Sequence, residues 1–314
     1  MIARHFVLAR LARSMARATP SALAIVLCLT SGRAVLAQEL ELPPRRADAL
    51  GGAEIARQIR SLDLEAREDR IYAEIALGNV PTWLRALAPV EVEREIKGRR
   101  HHVTFWVTPD YLAVGSDRDY FRVPLTPYAA QRVADLVGGS LPTPLMVDDI
   151  WAAAAVRLAP LPIPPSPQMT TVGVFRDHDR RVRSQRARNV APIGVLIAGH
   201  KKDVVITAAL ASLVDRVAIY GWHLRTGEPI QRVHTGHGDG YVDYSHGIRL
   251  VQRAVRIDGT SRDLADILSD ERLAPLLSNE GVIREPRYRQ RRQEGPGWPS
   301  QSSPRSSPSS VGGS

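Results

Sequence analysis

Apolar residues in the first half of the chain recur at the spacing of a helix. Between Ala53 and Leu77 they fall three or four positions apart over much of the segment, which predicts helix with an interruption near Ser61. Thr126 and Thr143 each precede a proline, and a capping threonine followed by proline is typical of a helix start. Further helices are predicted at 82–88, 126–137, 145–158, 170–188, 263–268 and 270–277.

Runs of β-branched and aromatic residues predict the strands. The stretch 101–115 holds two such runs around Pro109, which predicts a hairpin. The Pro-rich run 160–167 predicts a stiff, extended connector. Together the elements predict an α+β protein whose helical N-terminal half packs on a strand-rich second half, as one domain over 53–284. The strands of the second half are predicted at Ile193–Ala198, Val217–Tyr220 and Tyr241–Val251.

Both ends of the chain have the composition of segments outside the folded domain. Residues 1–37 combine arginines, a short apolar stretch and small residues before the next position, which is the layout of a secretory signal peptide cleaved after Ala37. A signal anchor and a lipoprotein acylated at Cys28 are the alternatives. Residues 38–52 are interpreted as a leader, and 285–314, which hold almost no apolar residues, as a disordered tail.

These ends determine the expected compartment. No later segment is apolar enough to cross a bilayer, so we expect no stable transmembrane anchor once the signal is removed. The sequence therefore predicts an exported protein, periplasmic or extracellular. Cys28 is the only cysteine, and it leaves with the signal. The mature chain then has no thiol, which excludes disulfides, a cysteine nucleophile and cysteine-ligated metal sites.

The net charge of +9 also belongs to the ends. Residues 1–37 carry five arginines and no acidic residue, and 285–314 carry five arginines against two glutamates. The part between them is close to neutral. A nucleic-acid-binding domain needs a basic folded face, so we expect no nucleic-acid partner.

Residues whose side chains are candidates for catalysis or metal binding are concentrated between 199 and 249, where five of the nine histidines lie. A thiol-free zinc site uses imidazole and carboxylate ligands and keeps one position open for water. The segment resembles exported zinc peptidases of the cell wall, which pair a His and an Asp in one segment with a later His, although their Ser-x-His pattern is missing. The predicted metal ligands are His237, Asp243 and His246.

Strand geometry opposes this ligand set. In a regular strand over Tyr241–Val251 successive side chains alternate between faces, so Asp243 and His246 lie on opposite faces. His246 then falls among apolar residues as a core histidine. The two side chains meet only if the strand bulges near Gly247.

Acid–base chemistry without a metal is the second interpretation. In it His200 or His223 is the general base, and Asp203 or Asp243 holds its ring. In the metal-assisted version Asp239 accepts a proton from the metal-bound water, and His200 or Arg249 supports the oxyanion. The candidate catalytic residues are therefore His200, Asp203, His223, Asp239 and Arg249, and the candidate substrate-binding residues are Trp222, Tyr241, Tyr244 and Lys202.

The leading functional hypothesis is an exported hydrolase of a cell-envelope or extracellular polymer, assisted by a metal such as zinc. Two alternatives stay open. One is a non-catalytic envelope protein that binds glycan or peptide through its aromatic residues. The other is a metal-free acid–base enzyme acting on glycan. The sequence does not decide among the three.

Overall fold

The structure, a computed structural model, describes residues 38–213 and 215–289. Its α-helices are α1 Gly52–Gln58, α2 Leu64–Ala76, α3 Thr82–Arg85, α4 Pro127–Leu136, α5 Pro144–Ala153, α6 Val172–Ala187 and α7 Leu264–Ser269. Short 3-10 helices cover Pro167–Thr170, Ala208–Ala211 and Ala274–Leu276. The strands of the first half are β1 Ala88–Ile96, β2 Arg99–Val107, β3 Ala113–Gly115, β4 Tyr120–Arg122, β5 Gly139–Ser140 and β6 Val156–Arg157. The strands of the second half are β7 Ile197–Ala198, β8 Lys202–Val204, β9 Ile219–His223, β10 Pro229–His234, β11 His246–Gly247, β12 Val251–Gln252, β13 Ala254–Ile257 and β14 Thr260–Asp263.

The helix starts follow from capping side chains. Thr126 accepts a hydrogen bond from Ala129 N at the start of α4, and Thr143 accepts one from Met146 N at the start of α5. Both caps satisfy a backbone donor that the helix leaves unpaired, as predicted. Asp63 caps α2 in the same way, which explains the interruption between α1 and α2.

The main sheet takes strands from both halves of the chain. The β1–β2 hairpin turns at Lys97-Gly98, where both residues have positive φ (49° and 78°), as a tight hairpin turn requires. The other edge of β2 pairs with β12 and β13, and β5 and β14 lie beyond them. With its helices, the protein is α+β, which confirms the predicted fold class.

The predicted hairpin over 101–115 is wrong. Strand β2 pairs with β1, while β3 pairs with β4. The segment between β2 and β3 does not form a hairpin turn, because its backbone binds residues 248–250. Thr108 N donates to Leu250 O at 2.9 Å, and Leu112 N donates to Ile248 O at 2.8 Å. The predicted strand Ile193–Ala198 shortens to β7, and the segment 154–158, expected to be helix, contains β6, which pairs with β7.

Segments interpreted as lying outside the domain pack against it. Leu40, in the predicted leader, is buried in the main core, and Glu39 forms a bridge with Ala86. Tyr288, in the predicted tail, is also buried, and its hydroxyl donates to Val205 O at 2.7 Å. The predicted signal peptide and residues 290–314 lie outside the described residues. None of the described helices combines the length and apolarity that a membrane crossing requires.

A four-stranded sheet in the described chain, ordered β10-β9-β8-β11, positions the candidate chemistry. Strand β8 runs antiparallel to β9 and parallel to β11. Its register places Lys202 opposite His246 and Asp203 opposite Gly247. Two sequence segments rich in polar residues, 200–203 and 243–247, are thereby held side by side.

Candidate functional site

A β-turn carries Asp243 and His246. His246 N donates to Asp243 O at 3.2 Å, and Asp243 Oδ1 accepts from Ser245 N at 2.7 Å and from Ser245 Oγ at 2.6 Å. An aspartate that binds the backbone two residues on stabilises a turn against an extended strand. The predicted regular strand Tyr241–Val251 is therefore wrong: after the turn it is reduced to β11 and the first residue of β12. The turn brings Asp243 and His246 together without the bulge that a strand requires.

Burial and neighbouring charge set the protonation of this pair. Burial acts to raise the pKa of Asp243, but His246, the hydrogen bonds from Ser245 and Lys202 outweigh it, so the pKa lies below its usual value. Burial lowers the pKa of His246 to about 4, against the opposing effect of Asp243. At neutral pH the site therefore holds a carboxylate beside a neutral imidazole.

His246 is 1% exposed, and neither of its ring nitrogens has a hydrogen-bond partner among the described residues. Buried polar side-chain atoms are nearly always paired, so this imidazole stands out. The edge of the Tyr241 ring faces it at a centroid distance of 5.9 Å, and Tyr241 OH donates to Asp243 Oδ2 at 3.0 Å. Tyr241 is half-buried and joins the turn to the surface.

Two further histidines extend this row of rings. His237 stacks on Tyr241 at 4.1 Å, and His234 contacts His237 at 5.0 Å. In the described part of the chain, no three His, Cys, Asp or Glu side chains form a group able to hold a metal ion. The ligand set His237, Asp243 and His246 stays a prediction.

Lys202 and Trp222 lie beside the turn. The Lys202 ammonium lies over the Trp222 ring, 5.0 Å from its centroid, and burial lowers the pKa of Lys202. Trp222 has φ 56°, in the left-handed region that bulky residues rarely adopt. Such backbone strain persists only where the surroundings impose it, and it clusters at functional sites.

A buried ionic network lies behind the turn. Arg122 Nη2 pairs with Asp110 Oδ2 at 2.5 Å, and Arg122 Nη1 pairs with Asp179 Oδ1 at 2.8 Å. His200 Nε2 lies 3.1 Å from Asp110 Oδ1, and burial lowers the pKa of His200 to about 4. His200, a predicted base, is thus held by Asp110 and not by Asp203 or Asp243.

Lys201 is buried, and its ammonium donates to Tyr244 O. Burial lowers the pKa of Lys201 to about 8. Tyr244, a predicted platform residue, is also buried, and its hydroxyl donates to Ile163 O at 3.2 Å and accepts from Ile163 N at 2.7 Å. It therefore fixes the Pro-rich segment to the turn.

Asp203 and Arg249 interact with Tyr111. The Tyr111 hydroxyl donates to Asp203 Oδ2 at 2.8 Å, and burial raises the pKa of Asp203 to about 6. The Arg249 guanidinium lies over the Tyr111 ring at 4.4 Å and donates to Thr108 O at 2.7 Å and Ile197 O at 2.8 Å. These bonds tie three chain segments together, so Arg249 is committed to carbonyl oxygens.

His223 has a carboxylate partner that the sequence did not indicate. Its Nε2 lies 2.8 Å from Asp148 Oδ1, which also accepts from Tyr220 OH at 2.8 Å. The ring of Trp151 stacks on His223 at 5.7 Å. Asp239, the last predicted catalytic residue, is buried in the loop that carries His237, and its backbone N donates to Asp215 O at 3.0 Å.

Sequence reasoning missed Asp110, Arg122, His178 and Asp179. The inward face of helix α6 carries a sequence signal for His178 and Asp179. Its buried positions Val172, Phe175, His178, Asp179, Val182 and Arg186 recur at helical spacing, which places two polar residues in the core-facing stripe.

Comparison with known proteins finds no matching family model, no matching curated protein and no matching solved structure.

Proposed function

We propose that the protein is an exported hydrolase of a cell-envelope or extracellular polymer and that the Asp243–His246 turn is its acid–base centre. The observation that carries the proposal is the His246 ring. It is buried and neutral at pH 7, and both its nitrogens lack a partner among the described residues. Perturbed ionisable groups cluster at functional sites, and an unpaired, neutral imidazole beside a carboxylate is able to accept a proton from water.

The side chains around the turn supply the other roles. A nitrogen of His246 takes a proton from water while the water oxygen forms a bond to the electrophilic carbon of the polymer. Asp243 stabilises the resulting imidazolium, and the Lys202 ammonium stabilises the negative charge that develops on the substrate oxygen. The imidazolium then gives its proton to the leaving group as the polymer bond breaks. Tyr241, which is half-buried, forms the platform for the chain of the polymer. Trp222, a predicted substrate-binding residue, is 6% exposed and packs inside the core against Tyr244, so it supports the site from within.

A zinc ion is a second candidate for this centre, and the same imidazole favours it. A neutral His246 with free nitrogens is in the form that zinc binds, and Asp243 lies beside it. His237 completes the predicted ligand set, and reaching the metal requires its stack with Tyr241 to rearrange. His246, Asp243 and His237 would hold the ion, which would make a water molecule at the site more acidic, and Asp239 is the residue that would accept its proton.

The test uses the mature chain, residues 38–314, purified without a histidine tag. It is incubated with peptidoglycan, envelope polysaccharides and unfolded protein, and released reducing ends and amines are measured. Loss of a general base costs about 100-fold or more, so His246→Gln and Asp243→Asn are expected to lose the activity. His102→Gln, which changes an exposed histidine, is the matched control and is expected to keep it.

Two further measurements separate the candidates. About one equivalent of zinc by elemental mass spectrometry, lost in His237→Ala, supports the metal-assisted form. Full activity in His246→Gln contradicts both forms. Binding of a polymer without turnover, lost in Tyr241→Ala but kept in His246→Gln, supports a non-catalytic binding protein instead.

A further inference from the structure

A separate cavity of about 540 Å³ opens at another part of the described surface. It lies between Tyr128 of α4, the 3-10 helix Ala208–Ala211 with the residues after it, and the segment 282–289. Neither Asp243 nor His246 lines it. Its volume falls in the range of about 300–1,000 Å³ that small-molecule sites occupy.

The lining is apolar within and basic at the rim. Leu210, Leu213 and Ile283 supply apolar surface. Leu213 is 37% exposed, so part of this apolar side chain is open to solvent. An occupant that buries these side chains removes apolar area from water.

Two of the four arginines in the lining have no carboxylate partner among residues 38–213 and 215–289. Arg287 pairs with Asp135 and Arg289 with Glu285, each at 2.8 Å. Arg216 donates only to a backbone oxygen, Gly236 O, at 3.0 Å, and Arg284 has no hydrogen bond or ion pair in that part of the chain. The acidic residues of the lining are Asp215 and Glu285, so positive charge is in excess.

We infer that this cavity binds a free long-chain carboxylate, with its alkyl chain against Leu210, Leu213 and Ile283 and its carboxylate at Arg216 and Arg284. An apolar interior with a cationic rim is complementary to an anionic amphiphile, because each part of the ligand meets its preferred environment. The chain's own segment 290–314 is a poorer match, since it carries Arg291, Arg292 and Arg305 against the single acidic residue Glu294.

The experiment is calorimetric titration of dodecanoate into the mature chain 38–314. One saturable site per chain is expected for dodecanoate, with much weaker binding of dodecanol and dodecylamine. The double variant Arg216→Glu with Arg284→Glu is expected to weaken binding about tenfold or more, because two charge-assisted contacts become repulsive. Arg225→Glu with Arg232→Glu changes two exposed arginines outside the lining and is the matched control.

A second variant tests the apolar part. Leu213→Asp changes a partly exposed residue, so the fold is expected to survive, and dodecanoate binding is expected to weaken. Hydrogen exchange locates the site independently, through slower exchange at 208–217 and 282–289 in the presence of dodecanoate. Equal binding of the alcohol and the amine, equal loss in the control variant, or no saturable binding overturns the inference.

Discussion

Asp243 and His246 are the first and last residues of one β-turn, joined by the hydrogen bond from His246 N to Asp243 O at 3.2 Å. The turn places a carboxylate and a neutral imidazole on one short piece of backbone. Strand β11 then pairs this piece with β8, which sets Lys202 opposite His246. The three groups on which the proposed chemistry depends are thereby fixed by backbone geometry.

Ser245 stabilises this turn. Its hydroxyl donates to Asp243 Oδ1 at 2.6 Å, and the site is buried. Ser245→Ala is expected to cost about 2 kcal/mol of folding free energy, because a hydrogen bond to a buried charge is lost. Denaturant unfolding measures this loss. Ser261→Ala, at an exposed serine, is the control, and an equally small effect in both variants contradicts the role given to Ser245.

Arg122 compensates two buried carboxylates. Arg122→Met leaves Asp110 and Asp179 without their cation, so we expect a loss of about 3–5 kcal/mol. Arg118→Met, at an exposed arginine, is expected to change stability by less than about 0.5 kcal/mol. Adding Asp110→Asn and Asp179→Asn to Arg122→Met removes the stranded charges and is expected to recover part of the stability. If the triple variant is less stable than the single one, the loss has another origin.

Acid stability depends on His246. The folded-state pKa of about 4 lies below the ordinary value of 6.5, so the unfolded chain binds the proton first as pH falls. The stability that the buried, neutral imidazole contributes to the folded state is therefore fully present above pH 6.5. It is lost progressively as pH falls towards 4, by on the order of 3 kcal/mol. Asp243, Lys202, His237 and Lys201 are the charged and titratable groups that act on this ring.

His246→Gln removes that titration. Its free energy of unfolding is expected to fall less between pH 6.5 and 4 than that of the unchanged protein, measured by urea unfolding at each pH. His102→Gln, at an exposed histidine, is the matched control and is measured in the same way. Parallel curves for His246→Gln and the unchanged protein contradict the burial argument.

Export is tested by the mature N-terminus. Expression of the full chain in a bacterium with a periplasm is expected to give a periplasmic protein that begins at Gln38. Ala37→Lys puts a large charged residue at the cleavage position and is expected to block processing, with the precursor retained at the membrane. An unprocessed, cytoplasmic protein in the unchanged chain contradicts the predicted signal.

The sequence predicts the starts of α4, α5 and α6 because their signals are local. The threonine caps of α4 and α5 and the spacing in α6 lie within the elements that they specify. The pairing of strands is a different matter. Strand β2 pairs with β1, β12 and β13, and this pairing depends on turns and contacts far from its own residues.

In the candidate site too, local features are readable from the sequence, whereas contacts between distant segments are not. Strand-forming residues predict a strand at 241–251, but the hydrogen bonds of Asp243 to Ser245 favour the turn. The partners of His200 and His223, Asp110 and Asp148, come from distant segments, and no spacing along the chain relates them. The sequence therefore shows which residue types are available to a site, whereas their pairing depends on the fold.

The pairing of β2 with β12 and β13 also governs when the protein is able to fold. The main sheet joins β2, at 99–107, to β12 and β13, at 251–257, so it closes only after residue 257 has left the ribosome. Contacts between distant segments form slowly. Until those strands emerge, β2 has only β1 as a partner in the main sheet.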